Sequence, residues 1–225
     1  LIYAGARVDS TRARTGQIDH EDWARLVKAA NPLAPAPIFV DDGHAQSIQE
    51  IAAKARRFHA EGGAKRWMIV LDYVQLVRPP QTRADRSESR EQEVSKVSGG
   101  LKALAKELDI PVVALSQLRR RRNEEENEVP RLDDLRESGS LEQDADVVAF
   151  LHPVSVDDEG HPSDDCSIVI AKQRSGPIGS VPLRFERTYT TFVEREVTAA
   201  PQKQRRRRGG GADQRHWQDG HDEDF

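Results

Sequence analysis

The sequence predicts an α/β fold, a mostly parallel sheet flanked by helices, and three observations carry that reading. Met68–Leu71 and Pro111–Leu115 are short apolar runs, and each ends in polar residues: Asp72 after the first, Ser116 and Gln117 after the second. Continuous apolar runs of this length read as strands buried on both faces, as in parallel sheets. Between them, Val94, Val97, Leu101, Leu104 and Leu108 recur at alternating steps of three and four, the period of a long helix. Strand, helix, strand in that order is the unit from which parallel sheets are built, and its ligands sit at the carboxyl ends of the strands.

Composition bounds the rest. At 225 residues, 36% hydrophobic and 32% charged, the chain holds one α/β domain with a real core plus polar extensions. No apolar run approaches membrane-spanning length and no signal-like segment opens the chain, so a soluble cytoplasmic protein is expected, with no membrane partner. Cys166 is the single cysteine. That excludes an internal disulfide and cysteine-rich zinc sites, fits a reducing compartment, and leaves Cys166 as an apolar filler beside a strand. A formal net charge of −4 does not announce a nucleic-acid binder, but local clusters matter more than the sum. The chain opens at Leu1 with residues that read like the inside of a helix, so a segment upstream is expected.

In chain order, Asp19 can cap a helix to about Ala30, with Trp23, Leu26, Val27 and Ala30 on its inward face. Asn31 and Pro32 stop it, and PAPIFV leads into a short strand at Ile38–Val40. A second amphipathic helix starts near Ser47, turns Ile48, Ile51, Ala55 and Phe58 inward, and ends at Gly62 and Gly63. After the Asp72 strand, the polar stretch from Arg78 to Ser89 reads as a mobile loop, and the long helix starts near Glu88. Gly99 and Gly100 interrupt that helix at roughly 1 kcal/mol each, which predicts a kink or an unusually close packing partner. Arg119 to Glu128 is a charge-segregated loop, and the charged block Arg131–Asp146 is punctuated by Leu132, Leu135 and Leu141. Strand-like runs follow at Val147–Leu151, Ser167–Ala171 and Val181–Phe185, the last two joined by a turn at Gly176, Pro177 and Gly179. Residues 1–197 are expected to form the domain, and 198–225 a disordered charged tail in which Lys and Arg nearly balance Asp and Glu.

One acid after a buried strand suggests a Mg²⁺-holding element of a nucleotide hydrolase, although caps and turns account for many such residues. The partners come from elsewhere in the chain. RVDSTRARTGQIDHEDWARL, LDYVQLV, LKALAKELDIPVVALSQL, DLRESGSLEQDAD and KQRSGPIG occur in this order, from Arg7 onward. Together they closely resemble the RecA-like motor domain of the bacterial replicative helicases, the DnaB family, over roughly Arg7 to Phe192. The resemblance implies a ring-forming, ATP- and Mg²⁺-dependent motor that unwinds duplex DNA 5′ to 3′ at a replication fork as a homo-hexamer, with primase and a helicase loader as further partners. It makes Asp72 the Walker B acid that holds Mg²⁺, directly or through water. Gln117 becomes the strand-tip glutamine on the γ-phosphate or its attacking water. Arg136, Glu137 and Gly139 fall on the loop that grips the backbone of single-stranded DNA, and Lys172 and Arg174 match the basic pair that reaches a neighbouring subunit's γ-phosphate.

These residue types suit the chemistry, because phosphoryl transfer depends mainly on positive charge at the phosphate oxygens. Read blandly, Asp72 is a cap, Gln117 a strand-end polar group, Arg136 with Glu137 a surface ion pair, and Lys172 with Arg174 solvated charges pointing to one side of a strand. The chain also departs from the family. It contains no GxxxxGK followed by Ser or Thr, and no Gly-Lys dipeptide at all. The family's catalytic glutamate, amino-terminal domain and linker helix are absent as well, so the amino-terminal part of the RecA-like domain is expected to be missing. The rivals are a non-catalytic fragment or pseudo-motor that binds single-stranded DNA or a helicase ring, and another RecA-like ATPase of the recombination or clock type.

Overall fold

Side-chain caps start most of the helices. The structure, a computed structural model, describes residues 1–62, 66–79, 89–118, 128–157, 159 and 161–195. Most of the expected mobile loop, most of the charge-segregated loop and the whole expected tail lie outside the described residues, as do the side chains of residues 136–138. Two single-turn helices, α1 (Ile2–Ala6) and α2 (Ser10–Arg14), open the chain, α2 capped by Asp9, which accepts the amides of Thr11 and Arg12. Helix α3 (His20–Ala30) starts at Asp19 in a reciprocal capping box with Asp22.

The buried face of α3 is turned by one residue from the expected one. Asp22 and Leu26 are buried and Ala29 packs behind them, whereas Trp23 is 59% exposed and Val27 is also exposed. The face against α3 is built from Ala6, Val8 and Ile18, with Gly5 over Ala29, where an added Cβ would make an ordinary contact at 3.7 Å. A carboxylate is accommodated at position 22 because Arg12 (3.0 Å) and Arg25 (2.5 Å) neutralise it from the rim.

The strand expected at Ile38–Val40 does not form. Pro35 and Pro37 remove two donors from the approach, and no described strand offers the segment an edge. Phe39 instead meets the Phe58 ring edge-on at 4.4 Å, and Phe58 meets Trp67 at 5.0 Å. Helix α4 (Ile48–Ala60) is capped by a Ser47–Glu50 box, and it buries Ile48, Ala52 and Ala55.

The organising unit follows. Strand β1 (Ile69–Leu71) pairs in parallel with β2 (Val112–Ala114), in register Ile69 with Val112 and Leu71 with Ala114. Helix α5 (Arg90–Leu108), capped by Ser89, crosses between them. Helices α4 and α5 cover one face: Ile69 and Leu71 point into a core of Ile48, Ala52, Ala55, Val97, Leu101 and Leu104. The other face was expected to be buried too, and it is not. Val70 is 62% exposed and Val113 46%, with Met68 and Leu115 beside them, because no described element packs there. Gly100 is the close approach that the sequence predicts: an added Cβ would lie 2.6 Å from Ile48 Cγ1, while Gly99 faces open space. The helix runs through both glycines as one segment.

Beyond β2, a 3₁₀ segment (Leu132–Ser138) runs straight into α6 (Gly139–Asp144), where a loop was expected. The leucines explain the difference. Leu132 and Leu135 pack on Val148 and Phe150, and Leu141 packs on the α5 core, with a kink at Leu135, whose backbone is not helical, between the two parts. Strands β3 (Val147–Pro153), β4 (Asp165–Gln173), β5 (Gly179–Glu186) and β6 (Thr191–Glu194) form an antiparallel sheet in chain order. Their connections are too short for crossovers, so hairpin pairing is forced. The α/β class is as expected, but among the described residues parallel pairing is confined to β1 with β2 and a single isolated bridge between Ser47 and Arg78. Cys166 is buried on β4, and burial raises its thiol pKa, which suits a filler and not a nucleophile.

Candidate functional site

Asp72 and Gln117 stand at the carboxyl ends of adjacent parallel strands. The ladder continues past β1, with the Leu115 amide donating to Leu71 O and the Val74 amide to Leu115 O, both at 2.9 Å. That places Asp72 alongside the segment that carries Ser116 and Gln117. A side chain with no expected role clamps the two tips. Gln75, on the 3₁₀ turn Val74–Leu76, donates from Nε2 to Ser116 Oγ (3.0 Å) and to Gln117 O (3.2 Å), and its Oε1 accepts the Gln117 amide at 3.3 Å. The Arg90 guanidinium, at the start of α5, donates in turn to the Gln75 carbonyl.

The clamp leaves the reactive ends free. Asp72 and Gln117 are exposed, and the Asp72 carboxylate makes no hydrogen bond or ion pair with another described residue. The Asp72–Tyr73 peptide bond is cis. No group of three or more His, Cys, Asp or Glu side chains that could hold a metal occurs among the described residues. One free carboxylate fits Mg²⁺ that arrives with phosphate oxygens and water as its remaining ligands, and does not fit a resident metal cage.

Lys172 and Arg174 lie elsewhere, at the end of β4, and they do face one side as alternate strand residues should. Both reach the carboxyl end of α6. The Lys172 ammonium donates to Glu142 O, and at 3.4 Å to Gln143 O. Arg174 donates to Gln143 O at 2.6 Å and pairs with Asp146 at 3.3 Å, while its amide donates to Asp146 O at 2.9 Å. Lys102 of α5 takes the other Asp146 oxygen at 2.5 Å. The hydrogen bond from that ammonium outweighs the opposing desolvation and, with smaller pulls from Arg174 and Lys106, holds the Asp146 carboxyl below its usual 3.8.

Of the third group, the backbone of residues 136–138 and Gly139 is helical. Gly139 has an ordinary right-handed conformation, and an added Cβ would meet nothing within 4 Å. Neither backbone strain nor crowding inside this chain therefore requires glycine there.

Three residues were missed by the sequence reading: Gln75, Ser98 and Asp146. Gln75 stands three positions after Asp72 as a polar residue in an otherwise apolar turn, which is a usable signal. Ser98 is buried on α5 and donates to Asp144 Oδ2 at 2.6 Å, a partner 46 positions away that periodicity cannot reveal. Asp146, between an alanine and a strand, reads as an ordinary cap.

A model of the DnaB-like helicase C terminal domain matches residues 1–194. The chain is 42% identical over 197 residues to the replicative DNA helicase DnaB of Geobacillus stearothermophilus, a match covering 87% of this chain and 42% of that protein. It is 41% identical over 197 residues to the replicative DNA helicase DnaC of Bacillus subtilis, with the same shares. A solved ATPase domain superposes with a TM-score of 0.78 at 36% identity, covering 87% of this chain and 69% of that one. A DnaB-like replicative helicase, solved with its interactions with primase, gives 0.77 at 36% identity, covering 87% and 46%. The chain thus spans less than half the length of these curated relatives.

Proposed function

The chain belongs to the family of DnaB-like helicase C-terminal domains, and from that premise we propose that it is the carboxyl-terminal motor segment of a ring-forming, ATP-dependent, 5′-to-3′ replicative DNA helicase. The observation that carries the reading is the Gln75 clamp, which fixes two exposed strand tips, one acidic and one amide-bearing, side by side with their functional ends free. Asp72 is the residue that would hold Mg²⁺ on ATP, directly or through water. The ion, when bound, neutralises phosphate charge. Gln117 would donate to the γ-phosphate or hold the water in line with it, and its fixed backbone keeps that reach constant. Lys172 and Arg174 would place positive charge on the γ-phosphate of a neighbouring subunit, an effect worth ~10³ to 10⁵ in rate for an arginine finger. Arg136, Glu137 and Gly139 would meet the backbone of single-stranded DNA. The room at Gly139 suits a strand lying directly on the main chain. A homo-hexamer, a primase and a loader complete the proposed set of partners.

The test uses a chimera in which this chain replaces the matched part of the Geobacillus stearothermophilus helicase, which restores the phosphate loop. Mixing Arg174→Ala subunits with Asp72→Ala subunits, each inactive alone, is expected to restore part of the ATP turnover, because a site with an intact Asp72 then receives an intact Arg174 from its neighbour. No recovery in the mixture sinks the trans assignment. Arg136→Ala is expected to weaken binding to oligothymidylate and to reduce its log–log salt slope by about one.

A second reading is favoured by one feature, the lack of any GxxxxGK sequence. In it, the chain by itself is a non-catalytic module that binds DNA or a ring without turning over ATP. The isolated chain is expected to show no ATPase. Calorimetric binding of MgATP by the isolated chain would count against the module.

A further inference from the structure

Helix α6 joins two groups of residues that the sequence treats separately. Its first residue, Gly139, continues the backbone of residues 136–138 without a break, and its last turn is the seat of Lys172 and Arg174. The seat is main-chain. Lys172 and Arg174 direct donors at Glu142 and Gln143 carbonyls, the unsatisfied acceptors of a helix carboxyl end, where cations are also favoured by the aligned peptide dipoles. A contact made to backbone follows the helix wherever it goes. The next residues tighten the connection, since the Arg174 amide donates to Asp146 O and Val148 stands in register with Lys172.

On its other side α6 is held by one face of α5. Ser98 donates to Asp144 Oδ2 (2.6 Å) and toward Ser140 O (3.4 Å), and Lys102, one turn further, pairs with Asp146. Six residues at 1.5 Å rise make a rod about 9 Å long, too short to bend. Its two ends move together. Asp146 sits where the rod, α5 and β4 meet, with one oxygen on Lys102 and the other on Arg174. Both Asp146 and Arg174 are about half exposed or more, so the pair between them is weak enough to be exchanged for a phosphate.

We propose that α6 is a coupling strut and Asp146 its positioning residue: Asp146 keeps Lys172 and Arg174 seated on the carboxyl end of α6, so that displacement of residues 136–139 shifts the cationic pair, and the reverse. What each end touches, DNA at one and a neighbour's phosphate at the other, rests on the function proposed above. The strut does not. By linkage, whatever holds one end biases the other by the same free energy.

The test is amide hydrogen exchange across residues 139–146 of the full 225-residue chain. Arg174→Ala and Asp146→Asn are each expected to speed exchange severalfold along this stretch as far as Gly139. Asp146→Glu should restore the slow rates. Arg187→Ala, which removes an ion pair with Asp164 after the same sheet's β5, should leave them unchanged. Rates at 139–146 in Arg174→Ala and Asp146→Asn equal to wild type overturn the strut. Binding of oligothymidylate across a salt series then separates coupling from mere structure. Asp146→Asn should weaken affinity severalfold with an unchanged salt slope, since no phosphate contact is lost, and Asp146→Glu should recover it. Wild-type affinity in Asp146→Asn overturns the coupling. A wild-type chain that binds no oligothymidylate removes the DNA reading of residues 136–139, while the exchange rates still decide the strut.

Discussion

At the scale of single residues, the informative side chains are polar groups that tie distant segments together. Gln75 makes three hydrogen bonds to the tip that carries Gln117. Partly exposed hydrogen bonds contribute about 1 kcal/mol net, so Gln75→Ala is expected to cost about 1–2 kcal/mol in urea denaturation. A loss of only a few tenths would mean the tips are held by the ladder alone. Carboxylates set the acid limit of the fold. Asp146, Asp41 and Glu107 are each lowered first by a side-chain bond to a cation, Lys102, Lys54 and Arg56 respectively, while Glu50 and Asp19 are lowered first by the backbone amides at their helix starts. A carboxyl whose folded pKa is depressed contributes stability that is present above its unfolded value and is lost as pH falls through the folded one. Ordinary values here are 3.8 for Asp and 4.5 for Glu. The urea midpoint is therefore expected to stay level from neutral pH to about 5 and to fall below about 4. Arg56→Ala should flatten part of that fall. A midpoint that drops between pH 7 and 5 would point to groups other than these.

At the scale of elements, α5 is the spine. Its start holds Gln75 through Arg90, its apolar face is most of the core, and Ser98 and Lys102 hold α6. The adjacent glycines in its middle make opposite predictions. Gly99 faces open space, so Gly99→Ala is expected to gain about 1 kcal/mol from helix propensity. Gly100 lies against Ile48, so Gly100→Ala is expected to lower the thermal midpoint, and adding Ile48→Val should recover part of the loss by removing atoms from the crowded side. Equal effects at the two positions would mean that α4 and α5 are not in close contact there. Most of this spine was legible in the sequence, because an amphipathic period and a Ser-x-x-Gln start are local signals. The 3₁₀ segment and α6 were not, because three leucines scattered through a charged block set no clear period and matter only once a core exists to receive them.

At the scale of the molecule, β1 and β2 carry the proposed nucleotide end on a two-stranded parallel sheet with one face covered. The uncovered face, Met68, Val70, Val113 and Leu115, is apolar and contiguous across the pair. Parallel sheets are stable when both faces are packed. The isolated chain is therefore expected to self-associate and to bind a hydrophobic dye, and Val70→Ser with Val113→Ser should shift it toward the monomer in sedimentation. Unchanged association would put the sticky surface elsewhere, Trp23 and Val27 of α3 being the next candidates. By itself the sequence determined the elements whose causes are local: α4, β1, α5 and β2 around Asp72 and Gln117, the order of motifs that marks the family, and the filler role of Cys166. Only the tertiary structure decided which face of α3 is buried, which face of the parallel pair is open, that Gln75 joins the two strand tips, and that Lys172 and Arg174 rest on α6. Those outcomes depend on contacts between residues far apart in the chain, where the shape and charge of the partner, and not the period of the segment, select the neighbour.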